Sequence, residues 1–206
     1  PAGAGVAAVA VEEAAYPRAV SAMHWMMGGS LVAAVGLVKQ AQWVPKDAPD
    51  AGKRKGRFMM LHKSFGLLAC GLLVPRLAAR ALAGMKGVLP GHLPGNALER
   101  AAGAASHAGM YALTVVMPVS GVLMGYFGGK GVPFFGLFTV PGKEVPDKEK
   151  AKNLFGLHTN AGTLLEVLLP LHVGAVLYHL LRGHRILARM NPFARAAVAA
   201  RAPPAV

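Results

Sequence analysis

Six histidines of this chain lie inside long apolar stretches of sequence: His24, His62, His107, His158, His172 and, close to the end of the last stretch, His179. An ionisable side chain is costly inside a bilayer and usually serves a function there. Neutral imidazole is the commonest metal ligand among side chains, although a single membrane histidine serves equally well as a hydrogen-bonding group between helices. Ligation of a metal ion is therefore the first chemistry to compare with the spacing of these residues.

The apolar stretches indicate the fold class. Hydrophobic residues make up 54% of the 206 residues and charged residues 15%, whereas soluble domains average about 25% charged. A helix needs about 20 apolar residues to cross a bilayer core, and such runs occupy residues 19–38, 59–85, 104–127 and 154–181. The sequence predicts an all-α membrane protein, a four-transmembrane-helix bundle with both termini on the same side.

The distribution of charge along the sequence limits the classes of partner that we expect. The formal net charge of +13 is carried between the apolar runs, as in membrane proteins whose loops meet anionic lipid headgroups. A nucleic-acid-binding protein instead concentrates its basic residues on one face, so we expect a lipid bilayer and no nucleic acid as partner. The single cysteine, Cys70, rules out a disulfide framework or an iron–sulfur cluster built by this chain alone.

The sequence predicts three segments. Residues 1–15 form an Ala/Gly-rich N-terminal tail, residues 16–186 the four-helix domain, and residues 187–206 an Arg/Ala/Pro-rich C-terminal tail. In the last connection, residues 132–140 are apolar and contain three phenylalanines, which favours an interfacial or re-entrant segment.

The depths of four histidines pair up within this bundle. We call the side of the membrane that carries both chain ends the terminal side. From that side, His24 lies about five residues into the first span. Each residue of a helix advances about 1.5 Å along its axis. His62 and His158 lie about three and four residues in from the opposite side. His172 follows His158 by fourteen residues, which places it about 21 Å deeper and on nearly the same helix face. His24 and His172 therefore share a terminal level, and His62 and His158 share an opposite level.

Two levels with two imidazoles each fit two haems b, because a six-coordinate haem iron takes two strong axial donors. A flat porphyrin beside its ligand needs a very small neighbour on the same helix face. Three histidines are followed at i+4, on the same face, by glycine: Gly28, Gly66 and Gly162.

The roles of His107 and Glu166 stay open at this point. His107 lies near the terminal level and competes with His24 as the partner of His172, but Tyr111 at i+4 argues against a haem on that face. His107 and Glu166 are therefore assigned either to a quinone site, with Glu166 as a proton relay, or to hydrogen bonds that support neighbouring helices and ligands. Arg76 is expected to pair with Glu166 or with a haem propionate.

Several segments together resemble the bacterial-type cytochrome b561 family, over about residues 16–186. They are Tyr16-Pro-Arg with His24-Trp25, His62-Lys-Ser-Phe-Gly66 with Arg76, Met117-Pro-Val-Ser-Gly121 after His107, and the pair His158 and His172. The layout is also similar to that of the di-haem membrane subunits of formate dehydrogenase and nickel–iron hydrogenase. The resemblance implies that His24, His62, His158 and His172 are axial ligands of haem iron and that electrons pass between quinone and another donor or acceptor.

Three functions are compatible with this pattern. The first is transmembrane electron transfer through two bis-histidine haems b, coupled to ubiquinone or another quinone, in a bacterial or mitochondrial inner membrane. Under it the chain is an electron-transfer cytochrome or a quinone oxidoreductase, alone or as a homodimer. The second is a haem-bearing accessory subunit of a larger respiratory complex, without independent turnover. The third is a haem-free, histidine-lined metal transporter, because borderline metal ions also bind imidazole.

Overall fold

Four long helices form the protein in the computed structural model, which describes residues 15–90 and 94–193. They are α1 (Arg18–Trp43), α2 (Ala51–Met85), α3 (Ala97–Phe127) and α4 (Lys148–Leu181). Each is long and apolar enough to cross a membrane, so the predicted four-helix membrane fold is confirmed. Most of the two predicted tails, residues 1–14 and 194–206, falls outside the described residues.

Each helix is longer than the apolar run that predicted it. The additional turns contain lysine, arginine and glutamate, which are good helix formers where water replaces lipid. Two of the longer helices also begin at a capping side chain. Asn96 accepts a hydrogen bond from the backbone N–H of Glu99 in a capping box at the start of α3, and Asp147 accepts one from Lys150 before α4.

The bundle consists of two helix pairs, α1 with α2 and α3 with α4, and α2 also contacts α3. One buried apolar cluster joins the first pair: Met27, Leu31, Ala69 and Leu73. Another joins the second pair: Leu113, Met117, Ala161 and Leu165. Large apolar side chains along α4 remain exposed, among them Leu164, Val167, Leu171 and Leu177. A bilayer covers such side chains favourably, because the helix already satisfies its own backbone.

The two ends of the described chain meet, as the even number of spans predicts. After α4 the chain turns back through a short helix, α5 (Ile186–Arg189). The Tyr16 backbone N–H donates to the Arg189 carbonyl oxygen at 2.8 Å, and Trp25 Nε1 donates to the Met190 carbonyl oxygen at 2.8 Å. These bonds hold residues that follow α4 against the start of α1.

The apolar segment between α3 and α4 is a β-hairpin. Its antiparallel strands are β1 (Val132–Phe134) and β2 (Phe138–Val140). Phe135 and Gly136 have φ values of 48° and 76°, which are the left-handed conformations of a type I′ turn. Ser64 of α2 holds the hairpin in place: its Oγ accepts from the Phe135 N–H at 2.8 Å and contacts the Pro133 carbonyl oxygen at 3.2 Å.

Candidate functional site

His24, His62, His107, His158 and His172 lie in two groups at different depths along α4. At the terminal level the ring centroids of His24 and His172 are 6.2 Å apart. At the opposite level those of His62 and His158 are 6.1 Å apart. Each histidine of α1 or α2 thus lies beside a histidine of α4. The geometry brings together the two pairs named from the sequence.

His107 joins the terminal level as a third imidazole. Its ring centroid lies 5.5 Å from that of His172, which is closer than His24 is. The His107 residue is exposed, whereas His24 and His172 are half-buried. His107 and His24 therefore both remain neighbours of His172, and exposure is what distinguishes them.

His62 is oriented by the backbone of a neighbouring helix. Its Nδ1 lies 2.8 Å from the carbonyl oxygen of Ala34 in α1. A carbonyl oxygen only accepts, so Nδ1 carries the proton and donates it. In the neutral ring the lone pair of Nε2 is then available to a metal ion, and such a bond from the other ring nitrogen is usual behind a metal-ligating histidine.

His158 is oriented in the same way by α3. Its Nδ1 lies 3.1 Å from both the Met117 carbonyl oxygen and Ser120 Oγ. The Ser120 hydroxyl donates its own hydrogen to the Val116 carbonyl oxygen at 2.6 Å, so its oxygen accepts from Nδ1. Both opposite-level rings thus expose Nε2. Within the described chain, the ring nitrogens of His24, His107 and His172 have no such bond.

Gly121 also contacts the opposite-level group, although the sequence alone predicts no role for it. Gly121 of α3 lies so close to His158 that a Cβ atom there would be 3.0 Å from the imidazole Cε1. A side chain at this position would displace the ring. Gly121 is part of the run Met117–Gly121 that carries the family resemblance, but the sequence does not indicate which helix this run contacts.

The glycines that follow the histidines differ in their surroundings. A Cβ atom added at Gly28 or Gly66 would meet nothing within 4 Å, whereas one at Gly162 would lie 3.6 Å from the terminal methyl group of Met117. Room for a flat group therefore exists beside His24 and His62. Beside His158 the corresponding position faces Met117.

Charged side chains within the spans have specific partners. Lys39 of α1 and Glu166 of α4 form an ion pair at 2.7 Å, and both are partly exposed. The apolar run that predicts this helix ends at residue 38, but α1 continues through Lys39 to Trp43. The expected ion pair between Arg76 and Glu166 is not among those of the described residues. The carboxylate of Glu166 binds Lys39 instead.

Arg76 lies at the terminal level. Its Nη1 donates to the Met23 carbonyl oxygen at 3.2 Å, and its guanidinium carbon lies 5.6 Å from the centre of the Tyr111 ring. Met23 immediately precedes His24, and Arg76 interacts electrostatically with that imidazole. A cation therefore adjoins the terminal histidines. Of the two partners that the sequence predicts for Arg76, Glu166 is bound to Lys39, and a haem propionate remains.

The described residues contain no group of three or more histidine, cysteine or acidic side chains suited to a bare metal ion. Each imidazole pair joins one helix pair to the other, and it would instead suit the iron of a haem, since the protein would then have to supply only two ligands. The residue types fit haem better than an isolated transition-metal ion.

Comparison with known proteins agrees with this chemistry. A family model described as prokaryotic cytochrome b561 matches residues 15–192. Cytochrome b561 homolog 2 of Escherichia coli (strain K12) is 32% identical over 122 residues, 59% of this chain and 61% of that protein. The match thus spans about three fifths of the relative. The chain belongs to the prokaryotic cytochrome b561 family and is a membrane cytochrome b, a haem protein of the electron-transfer class.

Proposed function

We propose that this protein transfers electrons across the bilayer through two bis-histidine haems b and exchanges them with a quinone. The observation that carries the proposal is the pair of imidazole contacts, 6.2 Å at the terminal level and 6.1 Å at the opposite level. His24 and His172 would bind one haem iron, and His62 and His158 the other. His172 follows His158 by fourteen positions, which separates the levels by about 21 Å of helix.

The ring separations fit axial ligation. A metal–imidazole bond is about 2 Å long, so both imidazoles of a pair would reach one haem iron placed between their rings. The hydrogen bonds of His62 and His158 leave Nε2 free to bind. Gly28 and Gly66 leave space beside a ligand at each level.

The protein's own contribution is orientation and exclusion of water. Haem b, when bound, supplies an iron that alternates between the ferric and ferrous states. The Ala34 and Met117 carbonyl oxygens fix the tautomer and the ring direction of the opposite-level histidines, which also makes those imidazoles stronger donors. The four paired histidines are half-buried within the bundle, and burial is one of the factors that set a haem potential.

Exposure favours the terminal level for exchange with quinol. His107 is exposed and adjoins His172, so it is placed to accept a proton while electrons enter at that level. Glu166, whose carboxylate is bound to Lys39, is better suited to joining α1 with α4 than to relaying protons. Ubiquinone and related quinones occur in energy-transducing membranes, which is where we place the protein.

The experiment is a spectrum and a haem determination on the purified protein in detergent. We expect two haems b per chain and reduction of both by a soluble quinol analogue as well as by dithionite. A chain that holds fewer than two haems contradicts the di-haem proposal. Reduction by dithionite but not by the quinol analogue would agree with the two haems and contradict electron exchange with a quinone.

A further inference from the structure

Two arginines of α2 lie one helical turn apart beside the terminal level. The guanidinium carbon of Arg76 lies 5.6 Å from the centre of the Tyr111 ring, and that of Arg80 lies 5.7 Å from the centre of the Tyr16 ring. Like charges at i and i+4 repel each other. An aromatic face attracts a cation only weakly, so the two rings orient the guanidinium groups without neutralising them.

Both guanidinium groups have a buried nitrogen without a partner. Arg76 Nε and Arg80 Nη1 are shielded from solvent, and neither makes a hydrogen bond among the residues that the structure describes. The four ion pairs found there use other residues. A buried donor on a cation is costly unless an acceptor, preferably an anion, is supplied.

The position of these donors relates them to the histidines. Arg76 donates to the carbonyl oxygen of Met23, the residue before His24, and lies over the ring of Tyr111, one turn after His107 on α3. Arg80 follows one turn later on α2, over the ring of Tyr16 just before α1. The hydroxyl of Ser21, one turn before His24 on α1, is also fully buried and without a hydrogen-bond partner. Donors from α1 and α2 are thus left unused around the same level.

We infer that Arg76 and Arg80 form a carboxylate-binding site beside the terminal histidines. Planar guanidinium groups match the geometry of a carboxylate and bind it through charge-assisted hydrogen bonds. The carboxylate has two sources, a propionate of a haem held at the terminal level or a free carboxylate-bearing ligand. The inference rests on the proposed function, because the first source requires that haem.

Redox titration of the purified holoprotein tests the site. With a propionate as occupant, Arg76→Gln and Arg80→Gln each lower the potential of the terminal haem, since a nearby positive charge favours the ferrous state. The opposite-level potential stays unchanged. Arg54→Gln, at the far end of α2 beside Asp50, removes the same charge without this effect. Arg76→Lys and Arg80→Lys retain the charge and restore most of the lost potential, which a purely structural defect would not allow.

Acetate distinguishes the two sources. If a free carboxylate occupies the site, adding acetate shifts the terminal potential of the wild-type protein in a saturable way, and the glutamine variants lose that shift. If a propionate occupies it, acetate has no effect while the glutamine variants still lower the potential. Unchanged terminal potentials in both glutamine variants, together with no response to acetate, overturn the inference. If the wild type holds both haems and the glutamine variants do not change the terminal potential, only the carboxylate site is refuted. If the wild type lacks a terminal haem, the proposed function is refuted.

Discussion

The two levels differ in how their imidazoles are oriented. At the opposite level, backbone carbonyl oxygens of α1 and α3 bind the Nδ1 atoms of His62 and His158. At the terminal level the described residues offer a third imidazole and nearby arginines instead. A ligand whose orientation is fixed before binding loses less freedom when it binds. We therefore expect the opposite level to bind its haem more tightly.

Gly66 provides a test at the residue scale. In Gly66→Leu the added Cβ atom meets no protein atom within 4 Å, and the new side chain extends from the face of α2 beside His62. We expect the haem content to fall from two to one per chain, measured by the haem-to-protein ratio.

Gly71→Leu is the matched control for this change. Gly71 belongs to the same helix and is equally free of neighbours, yet nine residues at 100° each place it on the face opposite His62. This variant should keep both haems. Equal haem contents in the two leucine variants would contradict the assignment of the Gly66 face.

Residue identities and depths could be predicted from the sequence, but many contacts could not. The rise of an α-helix relates His158 to His172 by arithmetic alone. The acceptors of their Nδ1 protons are backbone carbonyls, which every residue has, so no side-chain pattern indicates Ala34 or Met117. The Lys39–Glu166 pair could not be predicted, because Lys39 follows the apolar run and hydropathy alone does not show that the helix continues through it.

At the scale of elements, Ser64 joins the hairpin to α2. Its hydroxyl is fully buried and accepts from the Phe135 N–H. Ser64→Ala leaves that N–H without its partner, which costs about 1–3 kcal/mol. We expect faster hydrogen exchange of the hairpin amides and a lower Tm.

Ser30→Ala is the control for the loss of a buried hydroxyl. Ser30 Oγ is buried but donates only to the Met26 carbonyl oxygen of its own helix. Its replacement should leave exchange in the hairpin unchanged. A hairpin as protected in Ser64→Ala as in Ser30→Ala would show that Ser64 does not hold it.

The cap of α4 predicts a pH dependence. The Lys150 backbone N–H, bonded to Asp147, lowers the pKa of that carboxyl below its ordinary value of 3.8. A depressed pKa in the folded state stabilises the protein above the unfolded pKa, and the contribution is lost as pH falls through the folded value. Asp147→Asn keeps an acceptor but does not titrate, so its Tm deficit should be larger at neutral pH than in acid.

Asp50→Asn is the comparison, because Asp50 precedes α2 without making a side-chain cap bond. Its Tm difference from the wild type should vary less with pH. Equal pH dependence in the two asparagine variants would contradict the role of the Asp147 cap.

The four long helices were predictable in number and order, but not in length. Hydropathy marks only the lipid-covered part of a helix, whereas the helix ends where its caps are. Asn96 and Glu99 form a capping box whose spacing is visible in the sequence and would have placed the start of α3 correctly. The hairpin was harder to predict, because its turn uses Phe135 at positive φ, which is uncommon for an aromatic residue.

At the scale of the whole molecule, two helix pairs contribute complementary halves of each site. α1 and α2 each provide one histidine, and α4 provides a histidine at both levels. The alternative function, an accessory subunit of a larger respiratory complex, would use the same bundle. It differs from the independent cytochrome only in the partner subunits around it. The independent function predicts quinol reduction by the purified chain, whereas an accessory subunit would need its partners.

The most direct measurement of the central claim is a redox titration of the wild type beside His24→Ala and His62→Ala. Two imidazole pairs on separate levels predict two components in the wild type, with each variant losing a different one. Among the residues that the structure describes, His107 is the further histidine whose ring lies beside that of His172, so His107→Ala should retain both haems if His24 is the ligand. Loss of the same component in His24→Ala and His62→Ala would contradict the two-level account.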